Sequence, residues 1–177
     1  MDAFSSTLLE EGKRFLEKAA APETEVAAIA FRHSSLLLGF SALEAHMNAI
    51  ADELSIRPGL TILDMSILQE REYSLDNGVF TLTNKLKMYR LEDRLSFLFG
   101  RFSTGGVPTG SSWWSDLKYG LDLRNRLVHP KTDLQLAQRD VERALEAIVE
   151  CLNALYFAVF GRAHPSYNRR LDSALHF

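Results

Sequence analysis

Cysteine is almost absent from this chain: Cys151 stands alone among 177 residues. A single thiol excludes an internal disulfide and a multi-cysteine zinc site. It falls on an apolar helical stripe, which predicts a buried, inert side chain rather than a nucleophile. An excess of positive charge is missing too. The net charge of -3 argues against wholesale wrapping of nucleic acid and leaves space only for a small local basic site. No HExxH, ExxH or paired CxxC set occurs, so neither a metal nor a cofactor is expected. The segment from Gly105 to Ser111 lacks the lysine of a phosphate-binding loop and reads as a flexible connector. Long apolar runs are missing as well. The stretch from Ala27 to Ile50 is broken by Arg32, His33, Glu44 and His46, so no membrane span is expected. Acidic residues come early and no signal-like apolar core follows, which predicts a cytoplasmic protein.

What is present fits one domain over residues 1–177, with 46% hydrophobic and 24% charged residues, enough to bury a core without staples. Apolar residues recur at helical spacing from about Ser5 to Ala20. A second helix is expected after Pro22, with His33, Leu36, Phe40, Leu43, Met47, Ile50 and Leu54 alternating by three and four until Arg57-Pro58-Gly59. A shorter helix is expected from Thr61 to Glu72. Asn77-Gly78, between β-prone runs, predicts a small hairpin over residues 73–83. Asn84 then caps a helix running to Gly100. Ser112 caps another, whose stripe is Trp114, Leu117, Leu121, Arg124 and Val128. The last long helix carries Val141, Leu145, Ile148, Leu152, Leu155 and Val159 to about Phe160. The expected fold is all-α, an up-and-down helical bundle with an inserted hairpin, its core at about 21–160 and a peripheral tail at 161–177.

The stretch Leu123-Arg124-Asn125-Arg126-Leu127-Val128-His129-Pro130 is the chemical focus. Clash with the Pro130 ring pushes His129 out of the α region, so the helix stops there. Arg124 occupies a place where the stripe wants an apolar residue, and a guanidinium there needs a partner or an anion. The carbonyl end of a helix favours a cation, which suits an imidazole that gives and takes protons. Arg124 would offset charge on a phosphate, and Asn125 would orient it by hydrogen bonding. That trio suits RNA cleavage by the adjacent 2′-hydroxyl, which needs no metal. Arg126 and Lys131 add cations beside it; Glu44 flanks the second helix's seam, where it either faces the same cleft or, as glutamates more often do, stays solvated or hydrogen-bonded. A basic helix end also serves as an ordinary dipole partner. His33 and His46 read as packed or solvated, with no second ligand at i+4. Of Trp113 and Trp114, at least one belongs to the core.

Arg124-Asn125-Arg126-Leu127-Val128-His129 resembles the R-N-x-x-x-H motif of the HEPN superfamily, whose domains are helical bundles with this motif late in the chain. Phe40-Ser41-Ala42-Leu43-Glu44-Ala45-His46-Met47-Asn48 is similar to the second-helix segment of many such proteins. The resemblance implies a homodimer with two motifs facing each other across the interface, and metal-independent endoribonuclease activity on RNA. It makes Arg124 and His129 the catalytic pair, with Asn125 in support, and Arg126, Lys131 and Glu44 weaker substrate contacts. It suits a toxin or defence effector with an antitoxin partner. Lys131 stands where HEPN toxins paired with nucleotidyltransferase antitoxins carry a modifiable tyrosine. The alternative is a non-catalytic module that binds nucleotide or RNA, or dimerises, through the same cluster.

Overall fold

The apolar seam of the second helix lies at the centre of the molecule. The computed structural model describes residues 3–177. Along it run α1 (Ala3–Ala20), α2 (Glu25–Ser55), α3 (Ile62–Gln69), β1 (Arg71–Asp76), β2 (Val79–Leu86), α4 (Leu91–Phe102), α5 (Ser112–Val128) and α6 (Gln138–Phe160), then a 3-10 turn at Tyr167–Arg169. Leu36, Phe40, Leu43, Met47, Ile50 and Leu54 are all buried on α2. Three-and-four spacing puts them on one face. That face shares a continuous apolar cluster with Leu9 and Leu16 of α1, Leu117 of α5, and Leu145, Ile148 and Leu152 of α6. The chain is therefore a mostly helical bundle carrying a two-stranded antiparallel hairpin.

Missing side chains let the helices close up. A Cβ at Gly12 of α1 would lie 3.2 Å from the Gly39 amide nitrogen of α2. One at Gly120 of α5 would meet the Ala144 Cβ of α6 at 2.7 Å, inside contact distance. Both contacts are between elements, so larger residues there would force helices apart.

Several boundaries differ from the sequence reading. Helix α2 begins at Glu25, not just after Pro22, because the Thr24 hydroxyl accepts the Ala27 N–H at 3.1 Å and supplies a true N-cap. Helix α3 is capped by a reciprocal Thr61–Asp64 box and ends where Glu70 turns left-handed at φ 49°. The hairpin turn is as the Asn-Gly pair requires, with Asn77 at φ 49° and Gly78 at φ 81°. Its strands extend beyond 73–83. Asn84 lies inside β2 and caps nothing: the Arg71 guanidinium crosses the hairpin to the Thr83 carbonyl at 2.7 Å and to the Asn84 side-chain oxygen. Helix α4 consequently starts only at Leu91. Ser111, one residue before Ser112, holds the cap position of α5. Val128 is 45% exposed, whereas Leu123 is buried and Leu127 packs against the core. The α5 stripe thus drifts by a residue as a 3.6-residue period must.

Leu9 and Leu16 are core residues, so the core begins in α1, ahead of residue 21. The tail is not peripheral, because it folds back along α1. The Arg169 guanidinium reaches Glu10 at 2.7 Å, the Ala174 amide reaches the same carboxylate at 2.6 Å, and the Ser173 amide reaches Glu17 at 2.7 Å. Arg14 donates to the Phe177 carbonyl at 2.6 Å. Against the expectation of no membrane span, the most apolar 18-residue window of α2 has a mean hydropathy of 1.5, enough by length and composition to cross a membrane despite its charged residues. Its seam is covered here by the other helices of the bundle.

The tail also creates an acid-sensitive joint. His164 is 3% exposed, its ring set edge-on to those of Tyr156 at 4.6 Å and His46 at 4.9 Å. Its Nδ1 accepts the Ser166 N–H at 3.2 Å. Burial first, then the charges of His46 and Lys13, hold its pKa down to about 4, with Glu10 opposing and Arg169 adding to the effect. The unfolded chain therefore binds a proton that the fold refuses. This contribution to stability is present above the ordinary pKa of 6.5 and drains away as pH falls towards 4, at up to about 1.4 kcal/mol per pH unit. Urea midpoints are expected to fall between pH 7 and pH 5, and less steeply in His164→Phe. Equal slopes for the two proteins would remove His164 as the cause.

Candidate functional site

Helix α5 delivers Arg124 and Asn125 to one wall of a cleft and then stops. His129 is its C-cap, at φ -123° and ψ 66°, out of the α region as Pro130 requires. The His129 amide still closes the last turn on the Asn125 carbonyl at 2.9 Å. Across the cleft stands Glu44, one position off the buried α2 seam between Leu43 and Met47. Its carboxylate accepts from the Arg124 guanidinium, which also donates to the Asn125 side-chain oxygen at 3.1 Å. The two charged side chains are 26% and 41% exposed, so the pair is wet and its guanidinium accessible. The partner that Arg124's position on the stripe called for is therefore Glu44.

The cleft measures about 590 Å³ and is walled by α2, α4, α5 and the hairpin root, including Glu44, Asn48, Glu70, Tyr89, Arg94 and Arg124. A second and drier cluster lies at its base. Arg94, 6% exposed, donates to the Asn48 side-chain oxygen at 2.9 Å and pairs with Glu70 at 3.0 Å. Glu70 also faces the Tyr89 amide at 3.4 Å, and the Tyr89 hydroxyl meets that of Ser66 at 2.9 Å. From the sequence Glu70, Tyr89 and Arg94 carry no expected site role, and Asn48 enters only as the last residue of the 40–48 segment. One signal was available: Leu91, Leu95 and Leu98 leave Arg94 on the same apolar stripe of α4, as Arg124 is on α5.

Of the six expected site residues, the fold brings Arg124, Asn125 and Glu44 together and leaves three apart. His129 is exposed, outside the cleft lining, and its imidazole bonds to no other described residue. Arg126 is exposed and 3.8 Å from Asp122, an i,i+4 pair on the outer face of its own helix. Lys131 is exposed in the turn that follows. Within one chain, then, Arg124 and Asn125 of the motif meet Glu44 of α2, while the exposed His129 imidazole lies outside the cleft lining. Trp114 is buried and edge-on to Phe99, a core residue with no free face. Cys151 is fully buried, and burial pushes its thiol far up, away from nucleophilic use. His46 is buried and accepts or donates at Ser5 rather than facing the cleft. Among the described residues, no three His, Cys, Asp or Glu side chains are grouped as a metal site.

Comparison of the chain with protein-family models, with curated proteins and with solved structures gives no match.

Proposed function

We propose that the chain is a metal-independent endoribonuclease of the HEPN type, working as a homodimer. One observation carries the reading. The two segments that resemble that superfamily, residues 40–48 and 124–129, are far apart in sequence and meet in space at the Glu44–Arg124 pair. In this reading the 2′-oxygen of a ribose attacks the neighbouring phosphorus and the bond to the 5′-oxygen breaks. The products are a 2′,3′-cyclic phosphate and a free 5′-hydroxyl, with no change of oxidation state. Arg124 sits against the phosphate as charge builds on it, held in orientation by Glu44, and the Asn125 amide lends a further hydrogen bond. One imidazole must take the 2′ proton and another group must return one to the leaving oxygen. A single chain offers one outward-facing His129, and a two-fold partner offers the second. Toxin or defence-effector biology would follow from such an activity.

The second reading is a phosphate- or RNA-binding module without turnover. It is favoured by the way Arg124 is already satisfied inside its own chain. Incubation of purified protein with mixed RNAs in EDTA separates the two. Cleavage to cyclic-phosphate ends is expected, with Arg124→Ala slower by about 10²–10³-fold, the usual cost of one donor to developing charge. Intact RNA in EDTA, together with weaker RNA binding by Arg124→Ala, would replace the nuclease with the binding module.

A further inference from the structure

The hairpin leaves a row of rings and cations uncovered, and that row leads into the cleft. Phe80 and Tyr73 face each other across the strands with ring centroids 6.0 Å apart. The Lys87 ammonium lies 5.1 Å from the centre of the Tyr73 ring and 5.0 Å from that of Tyr89. Tyr89 in turn lines the cleft that holds Arg124. Register puts Leu75 opposite Phe80 and Leu82 opposite Tyr73, so these side chains share the same face of the pleat. Phe80 is 55% and Tyr73 38% exposed. Helix α3 packs against both strands, yet most of the hairpin stays exposed; it gains little from displaying aromatic residues to water, and such a display marks a binding face.

We propose that this row is a track for single-stranded RNA, on which unpaired bases stack before the chain enters the Arg124 cleft. The occupant follows from chemistry. From Val79 to Arg90 every charged side chain is a cation: Lys85, Lys87 and Arg90. Glu72 and Asp76 stand on β1 of the same hairpin, so the cationic strip is β2 and its exit towards the cleft, and a phosphodiester backbone laid along it neutralises those cations. Exposed ring faces accept any unpaired base, and a duplex hides the faces they need. The direction of the track, from hairpin to cleft, rests on the ribonuclease reading; the binding itself does not.

The test uses a fluorescent ten-nucleotide oligouridylate in EDTA, with every protein in a His129→Ala background so that the probe stays intact. Tyr73→Ser/Phe80→Ser is expected to weaken binding at least about 10-fold. Lys85→Gln/Lys87→Gln is expected to lower the slope of log affinity against log salt by about 1.4. With His129 restored, the ring variant is expected to cut a dinucleotide, which is too short to reach the hairpin, at the unaltered rate. Helicity checked by circular dichroism guards against misfolding, and the lysine variant removes no apolar contact. Unchanged oligonucleotide affinity in both variants overturns the track. So does conversion to monomer in sedimentation with RNA binding intact, which would make the face a contact between copies. Ring-dependent binding by a protein that cuts no RNA supports the track while removing the nuclease.

Discussion

RNA cleavage by His129→Ala is expected to fall by about 10²–10⁴-fold, the range that a positioned acid–base group contributes. Stability is expected to stay within about 0.5 kcal/mol of the wild type, because the side chain is an exposed surface group. His129 is exposed, caps the helix through its backbone amide, and has no side-chain hydrogen bond to another described residue. Loss of activity without loss of fold is therefore the signature of a chemical role rather than a structural one. A melting curve and a gel of cyclic-phosphate products, taken on the same preparation, provide the check. Wild-type cleavage rates in the alanine protein would rule out the imidazole as acid or base. Glu44→Gln offers a useful contrast. It leaves Arg124 an acceptor of similar shape, so a partial loss is expected where orientation matters more than charge.

The largest stability effect is expected at Arg94→Ala. The guanidinium and the Glu70 carboxylate are 8% and 16% exposed, so both have given up most of their water. Removing Arg94 leaves the Glu70 carboxylate largely buried with the Tyr89 amide against it and takes the donor from the Asn48 side-chain oxygen, and such half-broken pairs cost about 3–5 kcal/mol. For a chain of this size each kcal/mol corresponds to about 2–4 °C in melting temperature. Arg94→Met combined with Glu70→Leu is expected to recover most of the loss, since it removes both charges and keeps the volume. A change below about 1 kcal/mol in Arg94→Ala would mean the pair behaves like an ordinary surface contact. Tyr89, whose amide faces Glu70 at 3.4 Å, ties this cluster to the cleft, so the same variant is also expected to blur the hairpin's placement.

Most of the bundle was legible in the sequence because its seams are local. Val141, Leu145, Ile148, Leu152 and Leu155 announce one face of α6 by spacing alone, and all are buried. Asn77-Gly78 announced the turn for the same reason, since its backbone demands are met by those two residues. What was not legible depends on contacts distant in sequence. Arg94 can be read as a cation on the apolar stripe of α4, but its partners Asn48 and Glu70 cannot, because only the fold brings them to it. Asn84 looks like a helix cap, but Arg71 across the hairpin draws it into the strand. Within the candidate site, Arg124 was legible as a cation on an apolar stripe, and its carboxylate partner only as a residue flanking another seam. The outward placement of His129 was not legible at all, because the sequence gives the stop of the helix and not the direction its last side chain takes.

The clasp between α1 and the tail also sets an order of events when the chain is made. Glu10 and Lys13 leave the ribosome early, and Lys13 ends fully buried beside Glu10. Arg169, Ser173 and Ala174, which complete that cluster, are more than 150 residues away. Helices α1 and α2 are neighbours and can pair as soon as both emerge, whereas the clasp must wait until residues 169–174 have been made. The clasp is thus a late closing step that joins α1 to the segment following α6. A nascent chain stalled before residue 169 would hold a bundle whose acidic and basic groups at Glu10 and Lys13 are still open to water, and to the quality-control machinery that samples it.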